Sequence, residues 1–283
     1  MSFRRVGQVA LVLFGIFVVA PVAASLGYAA MYAFGLAGLF APGLTASYAL
    51  RVARDPEAWA SLTLTLGVSA VVVALTAAIA LPLSIAVRPY LPGGLRYALT
   101  LPLAVPGVVA GFLGVQLLSG SGLASRVFFR LGITGGVADF PQIIHDPWGL
   151  GIAAAHVALA VPFFVLLFSE IHGSERVDAL CELARMLGAT RAQTLRRVVA
   201  PVLLRKARPA LTLLFALVLA SFEIPLMLGG QRPQMASVVI FRKYALFDVG
   251  QKPDAYVLAL AFTMIAIAIA ARGLRVRADS DVA

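Results

Sequence analysis

Residues 60–87 read ASLTLTLGVSAVVVALTAAIALPLSIAV, a stretch without a charged side chain. About 20 consecutive apolar residues are enough for a helix to cross a bilayer, so this stretch predicts a membrane-spanning helix. Further apolar stretches recur along the chain at about 8–32, 97–118, 149–170, 209–229 and 254–271. Together the stretches predict an all-α, polytopic membrane protein with six transmembrane helices.

The composition agrees with a membrane protein and excludes a soluble one. Of the 283 residues, 61% are hydrophobic and 13% are charged, whereas soluble domains contain about 45–50% apolar and about 25% charged residues. One cysteine and three histidines exclude an internal disulfide and make a Cys/His metal site unexpected. The net charge of +10 is not arranged as a basic stripe with interleaved aromatic residues, so we expect membrane lipid and no nucleic acid around the chain.

The basic residues predict the orientation of the spans. If the N-terminus is inside, the inner segments contain 15 of the 23 lysines and arginines, and basic residues are enriched on the cytoplasmic side of membrane proteins. The start of the chain, with Arg4 and Arg5, is then the inner flank of the first span. We therefore expect a multi-pass protein of a prokaryotic inner membrane with both termini in the cytoplasm.

The inner connection at about 172–208 predicts two short helices. Ser174 is the expected N-cap of the first, with Glu175 and Asp178 in its first turn, and Gly188 is expected to end it in a left-handed conformation. Thr190 has the spacing of a capping box for the second helix. Apolar residues of the first helix recur with helical spacing at Leu180, Leu183, Ala184 and Leu187. Such a stripe docks in a groove of a partner, lies on the membrane surface or packs on its own bundle.

The same connection carries a recognisable motif. In order, it contains Glu182-Leu183-Ala184, three residues, Gly188, nine residues, Val198, one residue and Ala200-Pro201. This pattern resembles the "EAA" loop, Glu-Ala-Ala, three residues, Gly, nine residues, Ile, one residue, Leu-Pro. That loop marks the permease subunits of type I binding-protein-dependent ABC importers. Leu183, Val198 and Ala200 depart from the usual form, while the acid, the second Ala, the Gly and the Pro are in register.

Two further segments resemble one branch of that family. Residues 101–107, LPLAVPG, and residues 221–230, SFEIPLMLGG, are similar to segments of its polyamine, ferric iron, thiamine and phosphonate permeases. The family core corresponds to about 57–272 here, and we expect 1–283 to form a single transmembrane permease domain. The branch makes a polyamine our first expected substrate, with ferric iron, thiamine or a phosphonate as alternatives.

The resemblance implies a division of labour among subunits. It implies a pore formed with a second permease, identical or related, an ABC ATPase dimer inside, and a periplasmic or lipid-anchored solute-binding protein outside. The chain lacks a Gly-x-x-x-x-Gly-Lys-Ser/Thr sequence, so we expect no catalytic residues, no enzyme activity and no cofactor bound by this chain, with ATP used by the partner. The residues implied to contact the ATPase are Glu182, Ala184, Arg185, Leu187 and Gly188.

Glu223 is the candidate residue of the translocation path. A carboxylate within a span faces a cavity or a partner, and Glu223 either lines the path of a cationic substrate or holds a helix break at Pro225. His156 is expected to form an inter-helix hydrogen bond. Asp139, His145 and Asp146 are expected in a solvated outer loop that contacts the binding protein, with a metal site as the alternative.

Two other classes of protein remain as alternatives from the residues alone. A stand-alone secondary transporter or channel would show symmetry between its halves or several intramembrane charges. An intramembrane enzyme would need a nucleophile and a base, for which Ser221 and His156 are the only candidates and no motif supports them.

Overall fold

The computed structural model describes residue 7 and residues 11–38, 43–90, 92–245 and 249–280. Within these residues every regular element is helical, without a β-strand. The all-α class is confirmed. The predicted inner flank of the first span, with Arg4 and Arg5, lies outside the described residues.

The helices are numbered here in chain order. They are α1 (Leu11–Ala33), α2 (Ser47–Ala53), α3 (Pro56–Val87), α4 (Gly93–Thr100), α5 (Gly107–Leu118), α6 (Leu123–Arg130), α7 (Leu150–Ser174), α8 (Val177–Met186), α9 (Arg191–Thr194, a π-helical turn Leu195–Val199, and Ala200–Leu219), α10 (Glu223–Leu228), α11 (Ala236–Ala245) and α12 (Lys252–Ser280). Short 3₁₀ turns follow α3 at Arg88–Tyr90 and α4 at Leu101–Ala104.

Among the described residues, five helical stretches are long and apolar enough to cross a membrane. They are Leu11–Ala33, Pro56–Tyr90, Gly107–Arg130, Leu150–Ser174 and Val249–Gly273. Four of them coincide with the first, second, fourth and sixth predicted spans. The predicted span at 97–118 is interrupted between α4 and α5, because Pro102 and Pro106 lack the N–H group that a continuous helix needs.

The predicted fifth span, 209–229, is not one continuous helix. α9 ends at Leu219, and α10 begins at Glu223 after a non-helical link. One of the two interpretations of Glu223 assumed a helix break at Pro225. Pro225 instead lies in the first turn of α10, where a backbone N–H has no helical partner in any case. The count of six spans therefore stays a prediction, compatible with the five stretches found.

The chain separates into two compact units, and its prediction as a single domain stays a prediction. The first unit combines Met1–Leu62 with Ala236–Ile265. Its described part has a small core formed by Val52, Ala58, Val239 and Leu258.

Ion pairs hold α11 to the start of α3 within this unit. Lys243 Nζ donates to Asp55 Oδ2 at 2.9 Å, and Arg242 pairs with Glu57. Partial burial alone would raise the pKa of Asp55. The hydrogen bond and charge of Lys243, together with the backbone N–H groups of Glu57 and Ala58, outweigh burial and lower this pKa. The carboxylate therefore stabilises the folded state at neutral pH and loses this effect as the pH falls below its ordinary range.

The second unit combines Thr63–Met235 with Ala266–Ala283. Two apolar clusters form along α3, α7 and α9. The first includes Phe164, Phe168 and Leu203 and is joined by Val177 of α8. The second includes Val72, Ile152 and Val218 and is joined by Ile224 and Leu228 of α10. The connection at 172–190 and the break at 220–222 are therefore anchored at different levels of the same bundle.

Candidate functional site

α8 begins after a reversal of the chain at Arg176. α7 continues through Ser174, whose hydroxyl donates to the Ile171 carbonyl at 3.1 Å. The prediction that Ser174 caps α8 is therefore wrong, because α7 extends further than its apolar residues indicate. Arg176, at φ +49°, occupies the N-cap position. Asp178 lies in the first turn as predicted, whereas Glu175 ends α7.

The two faces of α8 have different surroundings. Val177 is fully buried in the apolar cluster of α3, α7 and α9, and Cys181 packs against the same cluster. The far end of the helix is open: Leu183 is 56% exposed, Met186 84% and Leu187 81%. Large apolar side chains with this exposure are available for contact with a partner protein or with membrane lipid. The predicted apolar stripe therefore faces mostly outward, and a different set of residues packs on the bundle.

A Schellman turn closes α8 at Gly188. Gly188 has φ +81°, and its N–H donates to the Arg185 carbonyl at 2.9 Å. The N–H of Ala189 donates to the Ala184 carbonyl at 3.0 Å. These two bonds satisfy carbonyls that a helix end leaves open. The predicted left-handed Gly188 is confirmed.

The next helix starts with the predicted capping box. The N–H of Gln193 donates to Thr190 Oγ1 at 3.3 Å, and the N–H of Thr190 donates to Gln193 Oε1 at 2.9 Å. α9 then passes through the π-helical turn Leu195–Val199. Such turns are rare and are frequent at functional sites. The angle between α8 and α9 is thus fixed by hydrogen bonds on both sides of Gly188.

Arg88 joins α8 to the ends of two long helices. Its Nη1 lies 2.9 Å from Asp178 Oδ2 and 2.6 Å from Nδ1 of His172. Arginine only donates, so His172 Nδ1 accepts and the proton of the neutral ring lies on Nε2. His172 is only 6% exposed. This cluster was not predicted from the sequence, although Arg88 directly follows an apolar span and Asp178 lies in the first turn of α8.

Two further ion pairs brace the same region. Lys206 Nζ lies 3.0 Å from Glu175 Oε1, and Arg96 Nη1 lies 2.7 Å from Glu170 Oε1. Both pairs are partly exposed, so each contributes roughly 0–1 kcal/mol. Their effect is mainly to orient the end of α7 relative to α4 and α9.

Cys181 has an environment that suppresses thiolate formation. Burial raises the pKa of its thiol, and the charge of Asp178 raises it further, against a smaller opposing effect of Arg185. The thiolate is the reactive form of cysteine. Cys181 is therefore a slow nucleophile at neutral pH.

The residues predicted to contact an ATPase share one surface. Glu182, Arg185, Leu187 and Gly188 are exposed, and Ala184 is half-buried. Their placement on a ten-residue helix and its closing turn brings them together as the motif requires. Their partner remains a prediction.

Glu223 lies apart from this surface, at the first position of α10. It is exposed. Its Oε2 would lie 3.1 Å from a Cβ placed on Gly107, the first residue of α5. Two helix N-termini, those of α10 and α5, therefore meet near this carboxylate, and each favours a negative charge.

A row of glycines on α5 accommodates α10. A Cβ on Gly111 would lie 2.9 Å from Met227 Sδ and 3.3 Å from its Cβ, and a Cβ on Gly114 would lie 2.7 Å from Leu228 Cδ1. These glycines form the surface on which α10 packs.

The remaining polar candidates have structural partners. His156 Nδ1 lies 2.8 Å from the Ile152 carbonyl of its own helix, so the hydrogen bond is within α7 and not between helices. Asp146 is buried and accepts from the N–H groups of Trp148 and Leu150 at 2.9 and 3.0 Å, which caps α7. Among the described residues, no three His, Cys, Asp or Glu side chains are grouped to hold a metal ion.

The chain is similar to known permease proteins of membrane transport systems. The family described as "Binding-protein-dependent transport system inner membrane component" matches residues 78–283. The sulfate transport system permease protein CysT of Salmonella typhimurium is 30% identical over 151 residues, which cover 52% of this chain and 50% of that relative. The chain thus matches about half the length of this curated relative.

Two solved structures share the fold. One is a bacterial ABC transporter involved in the import of the acidic polysaccharide alginate, with a TM-score of 0.68 and 18% identity over 94% of this chain and 91% of that chain. The other is a bacterial alginate ABC transporter in complex with an alginate pentasaccharide-bound periplasmic protein, with a TM-score of 0.70 and 17% identity over 95% and 91%. The family match covers well over half of the sequence. The chain therefore belongs to the inner membrane components of binding-protein-dependent transport systems, the permease subunits of type I ABC importers.

Proposed function

We propose that α8 is the coupling helix through which a separate ABC ATPase dimer drives this permease. The supporting observation is the exposed apolar tip of α8, where Met186 is 84% and Leu187 81% exposed. A side chain exposed to this degree gains most from a hydrophobic cleft on a second protein. Glu182 and Arg185 flank the tip and supply charges that select the partner.

Contacts at the base of α8 fix it to the helix bundle. Val177 is buried among α3, α7 and α9, and the Arg88–Asp178 ion pair joins α8 to the end of α3. The Schellman turn at Gly188 and the capping box at Thr190 fix the angle to α9. Movement of α8 with a closing ATPase dimer is therefore passed to the membrane helices as a rigid-body rotation. With a second permease subunit, identical or related, this rotation gives alternating access.

The proposal places the α8 side in the cytoplasm together with both termini. A solute-binding protein, periplasmic or lipid-anchored, then delivers the solute at the opposite face. Single cysteines in a Cys181→Ser background test the orientation. Positions 185–197 should react with a membrane-impermeant reagent only from the cytoplasmic side, and positions 126–146 only from outside. The reverse pattern would overturn the orientation.

We propose an anionic solute of the sulfate type as the substrate class. The expectation of a polyamine has no support from the relatives, since their names refer to sulfate and to an acidic polysaccharide. Glu223 keeps its proposed place on the wall of the translocation path. The two helix N-termini beside it offset its charge, so it does not require a cationic substrate.

Cross-linking tests the proposed docking site. Met186→Cys in a Cys181→Ser background should form a cross-link to the ATPase subunit in the assembled complex with a short bifunctional reagent. The matched control is Leu131→Cys, at a residue that is also strongly exposed and that follows α6. Cross-linking of Leu131→Cys but not of Met186→Cys would contradict the proposal.

A further inference from the structure

A cavity of about 420 Å³ lies between the inner face of α8 and the helices that support it. Its floor is apolar and is formed by Ile85 and Ala86 of α3 and by Leu195 and Val199 of α9. Ala86 and Leu195 are exposed, so the floor is open to a molecule from outside. Of the residues proposed to contact an ATPase, Arg185 also lines this cavity, whereas Glu182, Ala184, Leu187 and Gly188 do not.

Two arginines lie at the rim of this cavity. Arg185 comes from the end of α8 and Arg191 from the start of α9. Among the described residues neither forms an ion pair; Arg185 Nε only contacts the Cys181 carbonyl, at 3.4 Å. Asp178 also lines the cavity, but its charge is paired with Arg88 at 2.9 Å. The rim therefore has an excess of positive charge above an apolar floor.

The cavity also lies at the ends of two helical stretches that are long and apolar enough to cross a membrane. The apolar stretch that contains α3 ends at Tyr90, and the one that contains α7 ends at Ser174. Ile85, Ala86 and His172, all in the last turns of these stretches, line the cavity. Basic pockets between helices at a membrane interface bind the head groups of anionic lipids.

We propose that this cavity binds an anionic phospholipid, with its phosphate between Arg185 and Arg191 and the first methylene groups of one acyl chain on the apolar floor. A free phosphate would satisfy the arginines but would leave the floor uncovered. A neutral lipid would cover the floor but would leave two arginines without a counter-charge. The lipid fills the space behind α8 and supports it from the side opposite the tip.

The single cysteine of the chain provides a reporter for this site. Cys181 lines the cavity and is half-buried. A bound lipid should shield its thiol from N-ethylmaleimide. The assembled transporter is placed in nanodiscs of phosphatidylcholine alone or with phosphatidylglycerol, and modification of Cys181 is followed by mass spectrometry at one mildly alkaline pH.

Phosphatidylglycerol should slow the modification of Cys181 several-fold. Arg191→Gln should weaken this protection by about fivefold, which corresponds to the ~1 kcal/mol of one arginine near an anionic head group. Arg196→Gln is the matched control, because Arg196 is exposed on the same helix and does not line the cavity. Ala86→Trp, which fills the floor, should abolish the dependence on lipid composition without removing any charge.

Each other outcome overturns the assignment. Equal modification in the two kinds of nanodisc would show that the cavity does not bind an anionic lipid. Full protection by inorganic phosphate or glycerol phosphate in phosphatidylcholine discs would make it a site for soluble anions. Equal loss of protection in Arg191→Gln and Arg196→Gln would reduce the effect to general surface charge.

Discussion

Two interruptions of helix in the second unit are held in different ways. At Gly188 the chain turns from α8 to α9, and hydrogen bonds between residues within 184–193 close the turn. At 220–222 the chain passes from α9 to α10. The N–H of Ser221 donates to the Val218 carbonyl at 3.1 Å, and α10 is in addition positioned by close packing on the glycines of α5. A joint closed by its own hydrogen bonds keeps its angle when its surroundings move. A connection held by packing changes its geometry when the packed surface moves. The turn at Gly188 therefore suits the transmission of force, and the link at 220–222 suits a change in the shape of the translocation path.

The largest expected effect comes from a substitution where α10 packs on the glycines of α5. A Cβ added at Gly111 would lie 2.9 Å from Met227 Sδ, so the larger side chain of Gly111→Leu overpacks this contact. Overpacking costs about 1–3 kcal/mol. We expect a lower unfolding temperature in detergent and loss of uptake. Gly67→Leu is the control, because Gly67 is exposed on α3 and a Cβ there meets nothing within 4 Å. Equal stability of the two variants would show that α10 does not depend on this packing.

The turn at Gly188 should respond only to backbone strain. A Cβ on Gly188 meets nothing within 4 Å, yet φ is +81°, and a left-handed conformation costs a residue with a Cβ about 1–2 kcal/mol. Gly188→Val should therefore uncouple uptake from ATP hydrolysis in the assembled transporter, while Gly188→Asn, which tolerates this conformation, should retain most coupling. Normal uptake by Gly188→Val would contradict the role of the turn.

Glu223 should give the smallest effect of the three positions. Loss of its charge in Glu223→Gln removes an interaction with the helix N-termini of about 0.3–1 kcal/mol. Uptake of an anionic solute should stay nearly unchanged, with a slightly lower unfolding temperature. A selective loss of uptake with intact assembly and ATPase stimulation would instead assign Glu223 to contact with a cationic substrate.

The same contrast explains which features the sequence could predict. Gly188, Thr190 and Gln193 act through bonds to residues within five positions, so their spacing alone predicted the turn and the capping box. The role of Gly111 and Gly114 depends on α10, which is more than 100 residues away, so their spacing within α5 did not predict it. The prediction that Ser174 is an N-cap was wrong for a related reason. The end of α7 takes part in the Arg88–His172–Asp178 cluster, whose members come from the turn after α3, from α7 and from α8.

The docking of an ATPase on the tip of α8 is tested most directly by co-purification. Leu187→Asp puts a charge on a side chain that is 81% exposed, so the permease itself should fold normally. If the tip enters a hydrophobic cleft, the retained ATPase subunit should fall by at least about tenfold, as for an interface residue worth more than 1.4 kcal/mol. Leu131→Asp, at an exposed leucine after α6, should retain it fully. Full retention of the ATPase by a correctly folded Leu187→Asp variant would contradict the account.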